Sequence, residues 1–79
     1  MTSVGRILIE IERQSKGRKS AAYELSVGLR DGMYRTGALV KDFPGDHFLQ
    51  LAITDADGDT AHVFVPHDAV VSIMPVWLP

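Results

Sequence analysis

The dipeptide Asp31-Gly32 lies between two runs of alternating apolar and polar residues. Before it, Tyr23, Leu25, Val27 and Leu29 alternate with Glu24, Ser26, Gly28 and Arg30. A period of two is the mark of a half-buried strand, here residues 21–30. After it, Met33-Tyr34 opens a second run over 33–41. A type I′ turn needs positive φ at both central residues, which Asp-Gly supplies, so the two runs are predicted to form a hairpin. Once that hairpin is fixed, the rest of the chain reads as more of the same sheet. Phe43-Pro44-Gly45-Asp46 is a turn. Leu49, Leu51 and Ile53 mark one face of a third strand, 48–54. Asp55-Ala56-Asp57-Gly58-Asp59 is a second hairpin loop leading to strand 60–65. Pro66-His67-Asp68 separates that strand from a short fifth, 70–74, and an apolar tail, 75–79, that packs on the sheet or against a neighbour. Gly28 and Gly37 are the expected points of bending or close backbone approach.

The N-terminal segment has a different period. Thr2 and Ser3 are suitable helix caps, and Val4, Ile7, Leu8 and Ile11 fall on one helical face. Ile7, Ile9 and Ile11 also alternate, which keeps a strand reading open. Leu8 breaks that alternation and charges fill the opposite face, so a helix is predicted over 3–15. The expected fold class is therefore mainly β. A short helix precedes a five-stranded, strongly bent antiparallel sheet or partly open SH3-like small barrel, in one domain spanning 1–79.

A chain of 79 residues has little interior. It buries only about 60% of the surface its unfolded form exposes. It has no cysteine, which leaves neither disulfides nor a cysteine metal site to add stability. Close packing or self-association remains. The fourth run, Ala61-His62-Val63-Phe64-Val65, holds no fixed charge, and with Val70, Val71 and Ile73 of the fifth run it forms the expected oligomer interface. At 46% hydrophobic and 23% charged, the chain is too apolar for disorder. No apolar stretch reaches the roughly 20 residues of a membrane span, and no basic start with a following apolar run suggests a secretory leader. No membrane association and a cytoplasmic location are the expectations.

At this point the residues suggest a family. Leu29-Arg30-Asp31-Gly32, then Tyr34, Gly37 and Leu39, then a turn into Leu49-Gln50-Leu51, resembles the first Sm motif. The stretch Val63-Phe64-Val65-Pro66-His67-Asp68-Ala69-Val70-Val71-Ser72-Ile73 resembles the second. The chain is similar to Sm-like (LSm/Hfq-like) proteins over residues 4–74. That resemblance implies a homo-oligomeric ring, commonly a hexamer or heptamer, closed by pairing of the fourth strand with the fifth strand of the next copy. It also implies single-stranded, often uridine-rich RNA at the pore. The nucleotide pockets of such proteins come from two turns, which here hold Asp42, Asp46 and His47, and His67 and Asp68. His47 would stack on a base, and His67 would hydrogen-bond a base or phosphate.

The charge pattern adds a second expectation. All eight Lys and Arg lie in the first 41 residues against four acids, while residues 42–79 carry six Asp and no Lys or Arg. Lys16, Arg18 and Lys19 form the one basic cluster and are candidate phosphate contacts. Asp46 stands where the first Sm motif usually has asparagine, and Pro66-His67-Asp68 lacks a long cation. Phosphate neutralisation dominates non-specific RNA affinity, so the alternative function is a protein-interaction module on the same fold. Asp55, Asp57 and Asp59 do not match a calcium loop, which needs Gly at position six and Glu at twelve. His47, His62 and His67 read as surface or interface histidines rather than a zinc site. No nucleophile motif or glycine-rich phosphate loop is present, so no enzymatic activity, metal or cofactor is expected.

Overall fold

The computed structural model describes residues 3–18 and 22–79. Thr2, the side chain of Ser3, Lys19, Ser20 and Ala21 lie outside the described residues. Helix α1 spans Ser3–Ser15. Five strands follow: β1 (Tyr23–Leu29), β2 (Tyr34–Phe43), β3 (Phe48–Thr54), β4 (Thr60–Pro66) and β5 (Val70–Trp77). A 3-10 turn, η1 (His67–Ala69), joins the last two. All neighbouring strands are antiparallel, in the order β4-β3-β2-β1-β5.

The helical period wins at the N-terminus because it buries more apolar surface. Val4 and Ile11 are buried, Ile7 and Leu8 pack against the same core, and Ile9 is left 70% exposed. A strand would have placed Ile7, Ile9 and Ile11 on one face. In the sheet the period-two reading holds. Leu25 and Val27 of β1, Leu49 and Leu51 of β3 and Val65 of β4 join Val4 and Ile11 in one buried cluster. The inward residues of β1 and β4, three strands apart in the sheet order, share this core only because the sheet curls.

Gly37 marks the tightest approach. It sits opposite Leu25, and a Cβ there would lie 2.5 Å from the Ala52 carbonyl oxygen. Register shifts at Gly28/Leu29 and at Leu39/Lys41 add local twist. Gly28 runs close under Ser72 and Tyr34.

The sheet is not closed into a barrel: β4 and β5 are its two outer strands and are not neighbours in the hydrogen-bonded order. Three expectations need correction. The β1–β2 turn is not type I′, because, of Asp31 and Gly32, only Gly32 has positive φ, at 86°. The proposed tail at 75–79 is mostly strand, since β5 continues to Trp77 and pairs Tyr23 with Trp77 and Leu25 with Pro75. Proline does not stop β5 because an edge strand has only one side to pair. β2 runs on to Phe43, so Asp42 belongs to a strand, opposite Leu49, rather than to the turn. The Phe43–Phe48 pair extends this hairpin, its rings stacked 4.6 Å apart.

Replacing Gly37 with alanine forces its methyl group against rigid backbone. Gly37→Ala is expected to lower the unfolding free energy by about 1–3 kcal/mol. An unchanged urea midpoint would show that the β2–β3 contact has room to spare.

Candidate functional site

Two consecutive segments and a third distant in sequence meet at η1. The first is the end of β2, which carries Asp42. The second is the 44–47 turn, and the third is η1 itself. The His67 side chain is buried, and its Nε2–H donates to Asp42 Oδ1 at 2.7 Å. The His67 backbone N–H donates to the His47 carbonyl at 2.8 Å. One residue therefore ties β2, the 44–47 turn and the β4–β5 connection together.

His47 is the one described non-glycine residue with positive φ, at 62°. A left-handed backbone is uncommon for histidine and persists where the surroundings hold it. Here Phe43 accepts a turn hydrogen bond from the Asp46 N–H, and His67 holds the His47 carbonyl. The His47 side chain is left exposed, its ring 6.4 Å from that of His67 and nearly perpendicular to it.

The expected pocket residues thus take different positions. Asp42 pairs with His67 Nε2, and the two form the foundation of the site. His47, Asp46 and Asp68 are exposed above it. His67 Nδ1 is buried and has no hydrogen-bond partner among the described residues. The cation that Pro66-His67-Asp68 lacks in sequence arrives from elsewhere. Arg30, beyond β1, donates from Nε to the Asp68 carbonyl, and its backbone N–H donates to the Ala69 carbonyl at 3.0 Å. Sequence reasoning assigned Arg30 no role at this site, because its neighbours there lie nearly forty residues away. Its place after Leu29 in the Sm-like stretch was the available signal.

The basic cluster is only partly part of this site. Arg18 places its guanidinium 4.2 Å from the centroid of the Trp77 ring, and Trp77 meets Tyr23 edge-on at 5.4 Å. Cation–π contact and apolar burial thereby anchor the end of β5. Burial, and then the hydrogen bond from Tyr23 Oη to Glu12, raise the Tyr23 pKa above the ordinary tyrosine value. Lys16 is exposed and lines a groove with Asp42 and Pro44. Lys19 lies outside the described residues.

The proposed interface residues also divide. Val65 is in the core, and Val63, Val70 and Ile73 pack partly against it. Phe64, Val71 and His62 are exposed, His62 taking a hydrogen bond from the Gln50 amide at 3.0 Å. Asp55 Oδ1 accepts the backbone N–H groups of Asp57 and Asp59, which closes the β3–β4 hairpin. Among the described residues no group of three or more His, Asp or Glu is placed to hold a metal ion. The chain matches no family model, no curated protein and no solved structure.

Removing the Asp42 carboxylate leaves a buried imidazole with no partner on either nitrogen. Asp42→Ala is expected to destabilise the fold by about 1–3 kcal/mol. Thermal unfolding measures this, and a melting temperature equal to wild type would mean that the pair contributes nothing.

Proposed function

We propose that this chain is an Sm-like subunit that joins other copies through its sheet edges and binds single-stranded RNA around His47. The observation that carries the reading is the convergence at η1. A buried His67–Asp42 pair holds the 44–47 turn so that an exposed imidazole stands in a strained conformation, with Arg30 beside the adjoining loop. An exposed flat ring is a stacking platform for a splayed base, and guanidinium groups favour phosphate. Engagement of Asp42 by His67 commits one of the three acids that would otherwise face phosphate.

Self-association is supported by the two outer strands. β4 and β5 are seven and eight residues long and contain no Lys, Arg, Asp or Glu. Edge strands that remain unpaired are usually short or protected by charge. Phe64 on β4 and Met74 on β5 are each more than half exposed. The register places both on the outer face of the sheet, since Phe64 pairs with Gln50 and Met74 with Ser26. Joining β4 of one copy to β5 of the next would satisfy both backbones and bring these side chains together. Because the two edges differ, the contact is head-to-tail and closes into a ring when the rotation per copy allows.

Two measurements test this reading. Native mass spectrometry is expected to find a multiple of the 8.7 kDa chain, and Phe64→Lys combined with Met74→Lys is expected to leave single subunits that stay folded. A wild-type protein that runs as a monomer at micromolar concentration refutes the assembly. Fluorescence anisotropy with short uridine-rich and adenine-rich oligonucleotides reads RNA binding at low salt. Base stacking is worth about 1–3 kcal/mol, so His47→Ala is expected to weaken binding by about tenfold. Neutralising Lys16, Arg18 and Lys19 together should flatten the salt dependence. Absence of binding to either oligonucleotide at low salt removes the RNA reading.

A further inference from the structure

The sequence contains two Asp-Gly pairs, Asp31-Gly32 and Asp57-Gly58. Both lie in exposed turns, one joining β1 to β2 and the other joining β3 to β4. Such a pair is reactive for a steric reason. Glycine has no Cβ, so its backbone nitrogen can approach the side chain of the preceding aspartate closely. The two glycines here are nearly equivalent. Each has φ of 86°, and each has open space where a Cβ would stand. Each also donates its N–H to the carbonyl three residues back, Gly32 to Leu29 at 3.0 Å and Gly58 to Asp55 at 3.1 Å.

The two aspartates differ. Asp31 Oδ1 accepts the Met33 backbone N–H at 2.8 Å, and that bond must be released before Cγ can turn toward Gly32. Asp57 enters the hydrogen bonding of its loop only through its backbone N–H, which donates to Asp55 Oδ1 at 2.9 Å. The Asp57 carboxyl accepts no hydrogen bond from the described residues. Asp55 closes this loop instead. The same Oδ1 accepts the Asp59 N–H at 3.0 Å, and the Asp55 N–H donates to the Asp59 carbonyl at 2.9 Å. Release of the glycine N–H is a cost that both pairs share. Release of the carboxyl is a cost at Asp31 alone.

We propose that Asp57-Gly58 is a site of spontaneous isoaspartate formation in the folded protein, and that it reacts ahead of Asp31-Gly32. The Gly58 nitrogen attacks Cγ of the protonated Asp57 carboxyl. An N–Cγ bond forms, and the carboxyl hydroxyl leaves with the N–H proton as one water. The product is a five-membered succinimide joining the two residues. Water then adds to one of its two carbonyls and breaks the C–N bond there. Opening at Cγ restores aspartate. Opening at the α-carbonyl leaves the chain running through Cβ and Cγ, with the α-carboxylate free. Water is the one co-reactant, and nothing is oxidised or reduced. The isoaspartyl form adds one backbone atom to the loop that precedes β4. Its free α-carboxylate is the group on which a carboxyl-methylating repair enzyme acts. The site lies at the opposite end of β3 from His47 and rests on neither RNA binding nor assembly.

The test holds the full chain in warm neutral buffer and samples it over several weeks. Peptide mapping by mass spectrometry reads the transient loss of one water and the later change of retention at constant mass. Methyl transfer from labelled S-adenosylmethionine by an isoaspartyl methyltransferase counts the product. An exposed hydrogen bond of ordinary net strength, surrendered before reaction, slows a step several-fold, so Asp57 is expected to convert about two- to tenfold faster than Asp31. In strong denaturant the two rates are expected to converge, because the bond between Met33 and Asp31 is gone. Asp57→Glu is expected to abolish conversion in this loop, since its side chain would have to close a larger ring. The melting temperature should hold, because the replaced side chain is exposed and unbonded. Equal rates in the folded chain, a faster Asp31 or no isoaspartate at Asp57 overturns the proposal. So does a rate difference that survives in denaturant, which places the cause in the flanking sequence rather than the fold. Failure of the RNA and assembly experiments leaves these outcomes unaffected.

Discussion

Water is fully excluded from four side chains, Leu25, Val27, Leu49 and Leu51, and this interior sets the terms for the rest of the molecule. They come from β1 and β3, with β2 between them. The sheet must curl to let them meet, and α1 closes the open side with Val4 and Ile11. Curling requires a strand that can pass very close to its neighbour, and Gly37 provides that passage at the Ala52 carbonyl. A slip of one residue in register would turn each inward leucine to solvent. Packing and strand pairing thus constrain each other, and neither is adjustable alone in so short a chain.

The connection between β4 and β5 carries a different kind of constraint. The chain must travel from one outer strand to the other, and η1 makes that passage. His67 fixes one side of η1 through Asp42 and His47, and Arg30 fixes the other through Asp68 and Ala69. Buried polar groups are costly unless satisfied, so His67 and Asp42 are better understood as a joint than as free recognition groups. The exposed groups of that region, His47, Asp46, Asp68 and Arg30, are what remain available to a ligand.

Most of the architecture was legible in the order of residues. The helix at 3–15 followed from Val4, Ile7, Leu8 and Ile11, and the 48–54 strand from Leu49, Leu51 and Ile53. Both have one strong period and unambiguous flanks. β5 runs further than its local pattern indicates because Pro75 is a stop signal unless the strand lies at an edge, and edge position is a property of the whole sheet. The nearness of Pro44-Gly45 points to a turn at Asp42, yet the Phe43–Phe48 contact carries the strands two residues further. Burial of His67 and the arrival of Arg30 beside Asp68 are long-range facts with no local pattern.

β3 separates two unlike turns. At its start is the turn that carries His47; at its end is the loop with Asp55, Asp57 and Asp59, whose backbone is tied up by the Asp55 carboxylate. Seven residues of strand hold them roughly 20 Å apart, well beyond the distance at which physiological salt damps a field. The loop therefore gathers three carboxylates at one pole of β3. A densely charged anion drifting toward it would be turned aside from that pole before touching anything, so the direction of approach is selected ahead of contact.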